Sequence, residues 1–319
     1  DSVTGKIPGT GIMMQYPKIT VAICTWNRAD FLAETLEGML RLDLPQDLRW
    51  ELIVVNNNCT DHTDSVIKNY SGQLPIRRIF ETTPGLSNAR NCAVQEAQGD
   101  YILWTDDDVT VERNWIQSYL TSIMAHPESV VFGGRIIPSF QGNAPNWIEN
   151  NLDTIGDVYA RRVLGQEEFR LDPESGAIPY GANFCIKSGT QQKNLFDPNY
   201  GFVAGRLVGG EETQVIRKIL STGGEGWWVP DAVVHHRIEA FRQNVRYLYR
   251  YFRGQGSRIS IEDSQQSKAQ CPRWLYRKWL ECSMSYIYNR ILFRERLWVK
   301  ALKNAALHHG MIDRCGLKS

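Results

Sequence analysis

Apolar and polar positions alternate in blocks along the first hundred residues. Lys18 to Cys24 (KITVAIC) is apolar and β-branched, which predicts a buried strand. Thr25-Trp26-Asn27-Arg28 breaks it. From Asp30 the apolar positions fall at helical spacing through Phe31, Leu32, Thr35, Leu36, Met39 and Leu40, until Pro45 closes the unit. Trp50 to Val55 reads as a second strand, ended by Asn56-Asn57-Asn58-Cys59-Thr60-Asp61, and a polar helix runs to about Tyr70. Ile76 to Phe80 is a third strand. Gly85-Leu86-Ser87-Asn88 opens a helix, with Ser87 the expected cap and Leu86, Ala89, Ala93, Val94 and Ala97 on one face. Gly99 ends it, and an apolar fourth strand from Tyr101 runs into Asp106-Asp107-Asp108.

That β-α-β-α-β-α-β order predicts an α/β fold: a mainly parallel sheet with helices on both faces. Right-handed crossovers put the carboxyl ends of the strands at one edge. Four polar segments meet there: Thr25–Arg28, Asn56–Asp61, the loop before Ser87, and the three aspartates. A cleft at that edge is a ligand site by geometry. In extended chain, Asp106 and Asp108 share a face and Asp107 takes the other. Three adjacent acids need solvent or a cation, and hard oxygen donors suit Mg²⁺ or Mn²⁺. The plain alternative is an acidic turn that caps the next helix.

Further along, Asn114 to Met124 is an amphipathic helix. Val130 to Ile137 is a strand whose Gly133-Gly134 pair suggests a bulge or a close approach to ligand. Residues 138–178 form an excursion of the length seen in functional loops. Ile178 to Lys187 resumes a strand, and a Gly-rich loop reaches Gly209-Gly210. Glu211-Glu212-Thr213 then opens a helix, and two short strands, Gly226–Pro230 and Asp231–His236, end in a histidine pair. After Phe241, Arg242, Arg246, Arg250 and Arg253 interleave with tyrosines. Helical patterns follow over Arg273–Arg290 and Leu292–His308. This region reads as a solvated basic face, with peripheral membrane contact as its functional alternative.

Composition narrows the classes. The 319 residues carry a net charge of +1, so no global field draws the chain to nucleic acid. Seven scattered cysteines without a CxxC pair argue against a zinc cluster or disulfide framework and fit a reducing compartment. No run approaches the ~18 apolar residues of a membrane span. Neither GxGxxG nor GxxxxGK[ST] is present, which disfavours a Rossmann dehydrogenase or a P-loop enzyme.

The parts in order resemble a family 2 glycosyltransferase of the GT-A fold over roughly residues 18–255. The segments that carry the likeness are Val21–Arg28, Val54–Asp61, Gly85–Asn91, Gly99–Ile102 leading into Asp106–Asp108, Gly209–Thr213 and His235-His236. The resemblance implies an inverting, metal-dependent transfer of sugar from a nucleotide-sugar donor to a glycan or lipid-linked acceptor. It implies a tail (1–17), a catalytic domain (18–240, with a nucleotide-binding half to 110 and an acceptor half from 111) and a helical C-terminal region (241–319). The setting would be cytoplasmic, with peripheral contact at the inner membrane face. Its chemistry requires Mn²⁺ or Mg²⁺ at the donor diphosphate, held by Asp108 directly, by Asp106 nearer the ribose, and by His236 or His235.

Thr25, Arg28, Asn56 and Arg90 would line the nucleotide pocket together with the Asp106–Asp107–Asp108 turn, and Trp26 would pack on base or ribose. Gly181 and Asn183 would lie beside the donor sugar. The family pattern has Glu-Asp where this chain has Glu211-Glu212, so Glu212 takes the role of base by position, ahead of Glu211. Its carboxylate reaches about one bond, ~1.5 Å, further. The family usually has Asp at Asn56. A UDP-sugar is the default donor, with GDP- and dTDP-sugars open. A nucleotidyltransferase and a non-catalytic nucleotide-sugar binding module are the alternative classes.

Overall fold

A computed structural model describes residues 16–199, 201–203, 206–208, 210–262 and 271–316. Gly209 and most of the expected tail lie outside the described residues. The first half alternates as the pattern predicts: β1 Ile19–Thr25, α1 Ala29–Met39, β2 Trp50–Asn56, α2 Thr63–Tyr70, β3 Ile76–Phe80, α3 Leu86–Glu96 and β4 Tyr101–Asp106. The second half is less regular. It runs β5 Val109–Val111, α4 Trp115–Ala125, β6 Val131–Phe140, two short helices (α5 Asn146–Glu149, α6 Leu152–Ile155), β7 Phe169–Arg170, β8 Phe184–Lys187 and α7 Ser188–Lys193. A hairpin of β9 Gly201–Val203 and β10 Arg206–Val208 precedes α8 Glu211–Ser221 and β11 Gly226–Ile238. Three long helices follow: α9 Val245–Glu262, α10 Arg273–Ile291 and α11 Glu295–Gly316.

Nine strands form one mixed sheet in the order β3-β2-β1-β4-β8-β6-β11-β5, with β7 paired to the start of β11. β1 to β4 run parallel, β8 runs against both its neighbours, and β11 runs parallel to β6. β2 and β4 flank β1, so the chain winds away from β1 in both directions. Strand ends at such a switch point leave a crevice. Alternation along β1 feeds both faces. Ile19, Val21 and Ile23 pack with α1 and α4, whereas Ala22 packs with Ile53, Ile102 and Trp104 under α3 and α8. Burial on both faces is why these strands read as continuous apolar runs.

Several expectations shift. The two short strands read at residues 226–236 are one strand, β11, broken in register between Val229 and Val233 around Pro230 and Asp231. The strand expected from Ile178 begins only at Phe184, so Tyr180, Gly181 and Ala182 are irregular chain. The Gly133-Gly134 pair makes room for that chain rather than for a ligand. A Cβ on Gly133 would lie 2.0 Å from Pro179, and one on Gly134 would lie 2.3 Å from Asn183. Ser87 lies inside α3 rather than at its cap; Gly85, at φ +124°, takes that place. The excursion after β6 packs Ile148, Ile155 and Tyr159 against Leu248, Phe252, Trp298 and Leu302, giving the C-terminal helices a core of their own.

α10 ends in a Schellman turn. The Arg294 N–H donates to the Asn289 carbonyl (2.9 Å) and the Phe293 N–H to the Arg290 carbonyl (3.2 Å). The residue between, Phe293, holds φ +53°. Glycine is usual there, and a Cβ costs about 1 kcal/mol.

Candidate active site

The cleft at the switch point is lined by Thr25, Trp26 and Arg28 after β1, Asp106 to Asp108 after β4, Arg90 on α3, Gly181, Glu211 and Glu212 at the start of α8, and His236 on β11. β4 ends at Asp106, so Asp107 and Asp108 stand in a turn and not in extended chain. The turn still divides them. Asp107 faces inward, accepting from Thr25 Oγ1 (2.7 Å) and Arg28 Nη1 (2.9 Å). Asp108 accepts from Arg28 Nη2 (2.7 Å) and lies 3.4 Å from His236 Nε2. From below, Thr35 Oγ1 on α1 donates to the Asp107 (2.9 Å) and Val109 (2.8 Å) carbonyls. From the side, the Arg237 N–H donates to the Asp108 carbonyl (2.9 Å), which fixes His236 one residue away.

Asp106, Asp108 and His236 each offer a ligand atom, and these atoms lie within 4.8 Å of one another. Asp108 Oδ1 is buried without a hydrogen-bond partner. An orphaned buried carboxylate oxygen is costly unless something else meets it. Two carboxylates and an imidazole make a donor set that fits a divalent metal ion. Burial would raise the Asp108 carboxyl, but His236, Arg28 and Arg242 outweigh it and hold the group below its ordinary value. Burial raises Asp106, with the Asp108 charge adding to it and Arg90 opposing.

The second histidine does not join them. Alternation along β11 turns His235 to the other face, where its Nε2 lies 2.7 Å from Glu112 Oε1.

Across the cleft, Arg90 is buried among Trp104, Phe184 and Phe196, each ring centroid 5.4–5.9 Å from the guanidinium. Its Nη1 lies 2.7 Å from Glu211 Oε1 and 3.7 Å from Glu212 Oε2, and its Nη2 lies 3.6 Å from Asp106 Oδ1. Arg90 thus ties the α8 carboxylates to the aspartate turn. Gly210 at φ +102° lets the chain turn into α8 so that both glutamates start the helix. Burial raises the Glu212 pKa, and the Glu211 charge raises it further. Gly181 has no room for a side chain: a Cβ would lie 2.8 Å from Arg90 Nη2 and 3.4 Å from the Glu212 carboxyl.

Two residues expected at the donor are committed elsewhere. Asn56 Nδ2 donates to Asp64 (2.6 Å) and its Oδ1 accepts from the Cys59 N–H (2.7 Å), so it shapes the turn after β2 and is absent from the cleft wall. Asn183 is fully buried, accepting from Trp115 Nε1 and Tyr119 OH (both 2.8 Å) and donating to the Arg135 and Ala232 carbonyls. Its four bonds use the whole amide.

Sequence reasoning missed Thr35, read only as part of an apolar helix face. It also did not place the basic stripe at the cleft. Arg246 and Arg250 on α9, with Arg242 just before it, line the open end of the cleft beside Tyr247 and Tyr251, and Arg246 and Arg250 remain exposed there. Their spacing of four was the available signal.

The family model described as "Glycosyl transferase family 2" matches residues 20–188, more than half the chain. This protein is a family 2 glycosyltransferase. The match takes in the strands that build the nucleotide half and the aspartate turn but stops short of Glu211, Glu212 and His236. The chain is 24% identical over 233 residues to the succinoglycan biosynthesis protein ExoM of Rhizobium meliloti, covering 72% of this chain and 70% of that one. It is 23% identical over 237 residues to a glucosyl-dolichyl phosphate glucuronosyltransferase of Haloferax volcanii, covering 72% of each. Among solved structures it is similar to a mannosyltransferase from Pyrobaculum calidifontis in complex with GDP-Man and Mn²⁺ (TM-score 0.55, 17% identity, covering 92% of this chain and 74% of that one). It is similar also to S. aureus TarS 1–349 in complex with UDP-GlcNAc (TM-score 0.55, 13% identity, covering 92% and 90%). These likenesses establish the GT-A fold. Among the described residues, no helix of this glycosyltransferase is long and apolar enough to cross a membrane.

Proposed function

We propose that this glycosyltransferase moves a sugar, with inversion, from a nucleotide-sugar donor to a hydroxyl of a glycan or lipid-linked acceptor. The observation that carries the reading is the convergence of Asp106, Asp108 and His236 within 4.8 Å, facing a buried glutamate pair across one cleft. Asp106, Asp108 and His236 would hold Mn²⁺ or Mg²⁺. When bound, the ion would supply positive charge to the diphosphate leaving group.

The chain's own groups do the rest. Thr25, Trp26 and Arg28 form the wall nearest the ends of β1 and β2, where a nucleoside would enter. Arg28 is already shared between Asp107 and Asp108, so its task is to hold the turn. Gly181 lets Arg90 and Glu212 pack close against the backbone, which holds both at the cleft wall. Glu212 takes the acceptor proton as the hydroxyl attacks the anomeric carbon, and a raised pKa makes it the better base. Glu211, in direct contact with Arg90, positions that base. Because Asn56 is committed within its own turn, it does not select the base of the donor. A UDP-sugar stands as the first donor to try, with GDP- and dTDP-sugars next. The α9 arginines at the open end suit an acceptor that carries negative charge.

The test is sugar release and transfer from a panel of UDP-, GDP- and dTDP-sugars, with Mn²⁺, with Mg²⁺ and with chelator. Transfer that persists in chelator, or in Asp108→Ala, would sink the metal reading. Transfer unchanged in Glu212→Gln would sink the assignment of the base.

A further inference from the structure

Most of the large apolar side chains exposed among the described residues lie between Trp274 and Leu297, on α10, the turn after it and the start of α11. They are not scattered. At 100° per residue, Tyr276, Leu280, Met284, Ile287 and Ile291 fall within an arc of about 80°. The adjoining face of α10 is occupied: Leu275 is buried, Trp279 lies tilted beside His309 (ring centroids 5.4 Å) and Tyr286 edge-on to Trp298 (6.1 Å), both on α11. α10 is therefore apolar on two sides and covered on one. A helix with an apolar stripe left uncovered has one face still to fill.

The turn at its end sharpens the point. Phe293 is 91% exposed and sits in the left-handed position of the Schellman turn, where glycine is the usual residue. A bulky side chain is held out in solvent at a conformational cost, with no packing that compensates it. Around the stripe, residues 273–300 carry seven Lys or Arg against two Glu. Arg273 shares the arc of the apolar residues and Arg277 borders it, and Arg290, Arg294 and Arg296 flank Phe293.

We infer that α10 and Phe293 form a docking face for an anionic membrane surface. The helix would lie in the plane of the interface with its apolar stripe among the acyl chains, Phe293 as a wedge and the cations at the headgroups. Charge decides between this occupant and a second copy of the chain. A two-fold contact would set the same face against itself, and so cations against cations. A lipid surface supplies the missing negative charge. The inference stands apart from the proposed reaction, because none of these side chains lines the cleft.

The experiment is flotation of the full chain with vesicles rich in phosphatidylglycerol and with vesicles of phosphatidylcholine alone, at low and high salt. Binding is expected to the first only, and to weaken as salt rises. Phe293→Gly should lower partitioning about tenfold, the scale of burying one aromatic side chain. Glycine suits that backbone, so a loss cannot be ascribed to unfolding. Leu280→Gln with Ile287→Gln should abolish binding and leave transfer to a soluble acceptor intact. Equal binding to neutral vesicles, none to either, or wild-type binding by Phe293→Gly overturns the proposal. So does light scattering that shows a dimer which the Leu280/Ile287 pair of changes splits.

Discussion

Arg90 and Glu211 meet at 2.7 Å, and both are almost wholly buried. Neighbouring Glu212 stands 3.7 Å from the same nitrogen. One arginine thus gives two adjacent glutamates different lives: the first is its close partner, the second a looser one with a raised pKa. Their variants should separate accordingly. Glu211→Ala leaves a buried guanidinium short of its partner and should cost about 3 kcal/mol of stability in urea unfolding. Glu212→Gln should leave the unfolding midpoint nearly unchanged and lower kcat about 10²–10⁴-fold.

The same pair makes a prediction about pH. As the proposed base, Glu212 would work deprotonated, so kcat/KM should rise with pH, and its acid limb should lie above the ordinary glutamate value of 4.5. Burial and then the Glu211 charge push that limb up. Glu211→Gln removes the charge, so the limb should move to lower pH even where the rate itself suffers. A limb that stays put would show that another group controls the profile.

Metal binding can be read without turnover. A ligand that binds only the folded chain raises its stability, by about 2.7 kcal/mol at a hundredfold excess over Kd. Mn²⁺ should therefore raise Tm by about 5 °C. Asp108→Ala and His236→Ala should erase the rise, whereas His235→Ala should keep it, since His235 is held by Glu112 on the other face of β11.

Thr35 offers a test away from the ligands. Thr35→Val keeps shape but removes the donor shared by the Asp107 and Val109 carbonyls. It should cost about 1–2 kcal/mol. It should also weaken half-saturation by Mn²⁺, because the aspartate turn loses its support. Normal metal affinity in a destabilised variant would reduce Thr35 to a packing role.

The strain at Phe293 is measurable by itself. Phe293→Gly should raise stability by about 1 kcal/mol, because glycine enters the left-handed region without a Cβ clash. An unchanged or lowered Tm would mean that the phenyl ring contributes packing.

How far the sequence spoke depended on what each signal was made of. The nucleotide half was legible because its strands are buried on both faces and its helices are periodic, so local pattern and final packing agree. The aspartate turn was legible as an acid cluster at a strand end. The division of labour inside it was reached through strand alternation, although a turn produces it. Asn56 and Asn183, expected at the donor, bond instead to the protein's own groups, and one reason covers both. A side-chain amide looks the same in a string whether it faces a ligand or a buried carbonyl, and only the neighbours — Asp64 and Cys59, or Trp115 and Tyr119 — tell the two apart. The basic stripe of α9 is a solvated face as its pattern suggests, but a string carries no sign that this face borders the mouth of the cleft.

β11 comes last among the strands in sequence yet lies inside the sheet, between β6 and β5. It brings His236, and the helix just before it brings Glu211 and Glu212. Glu211, Glu212 and His236 therefore all come from late in the chain, and a truncation before α8 would remove the three together while leaving the aspartate turn and Arg90 in place.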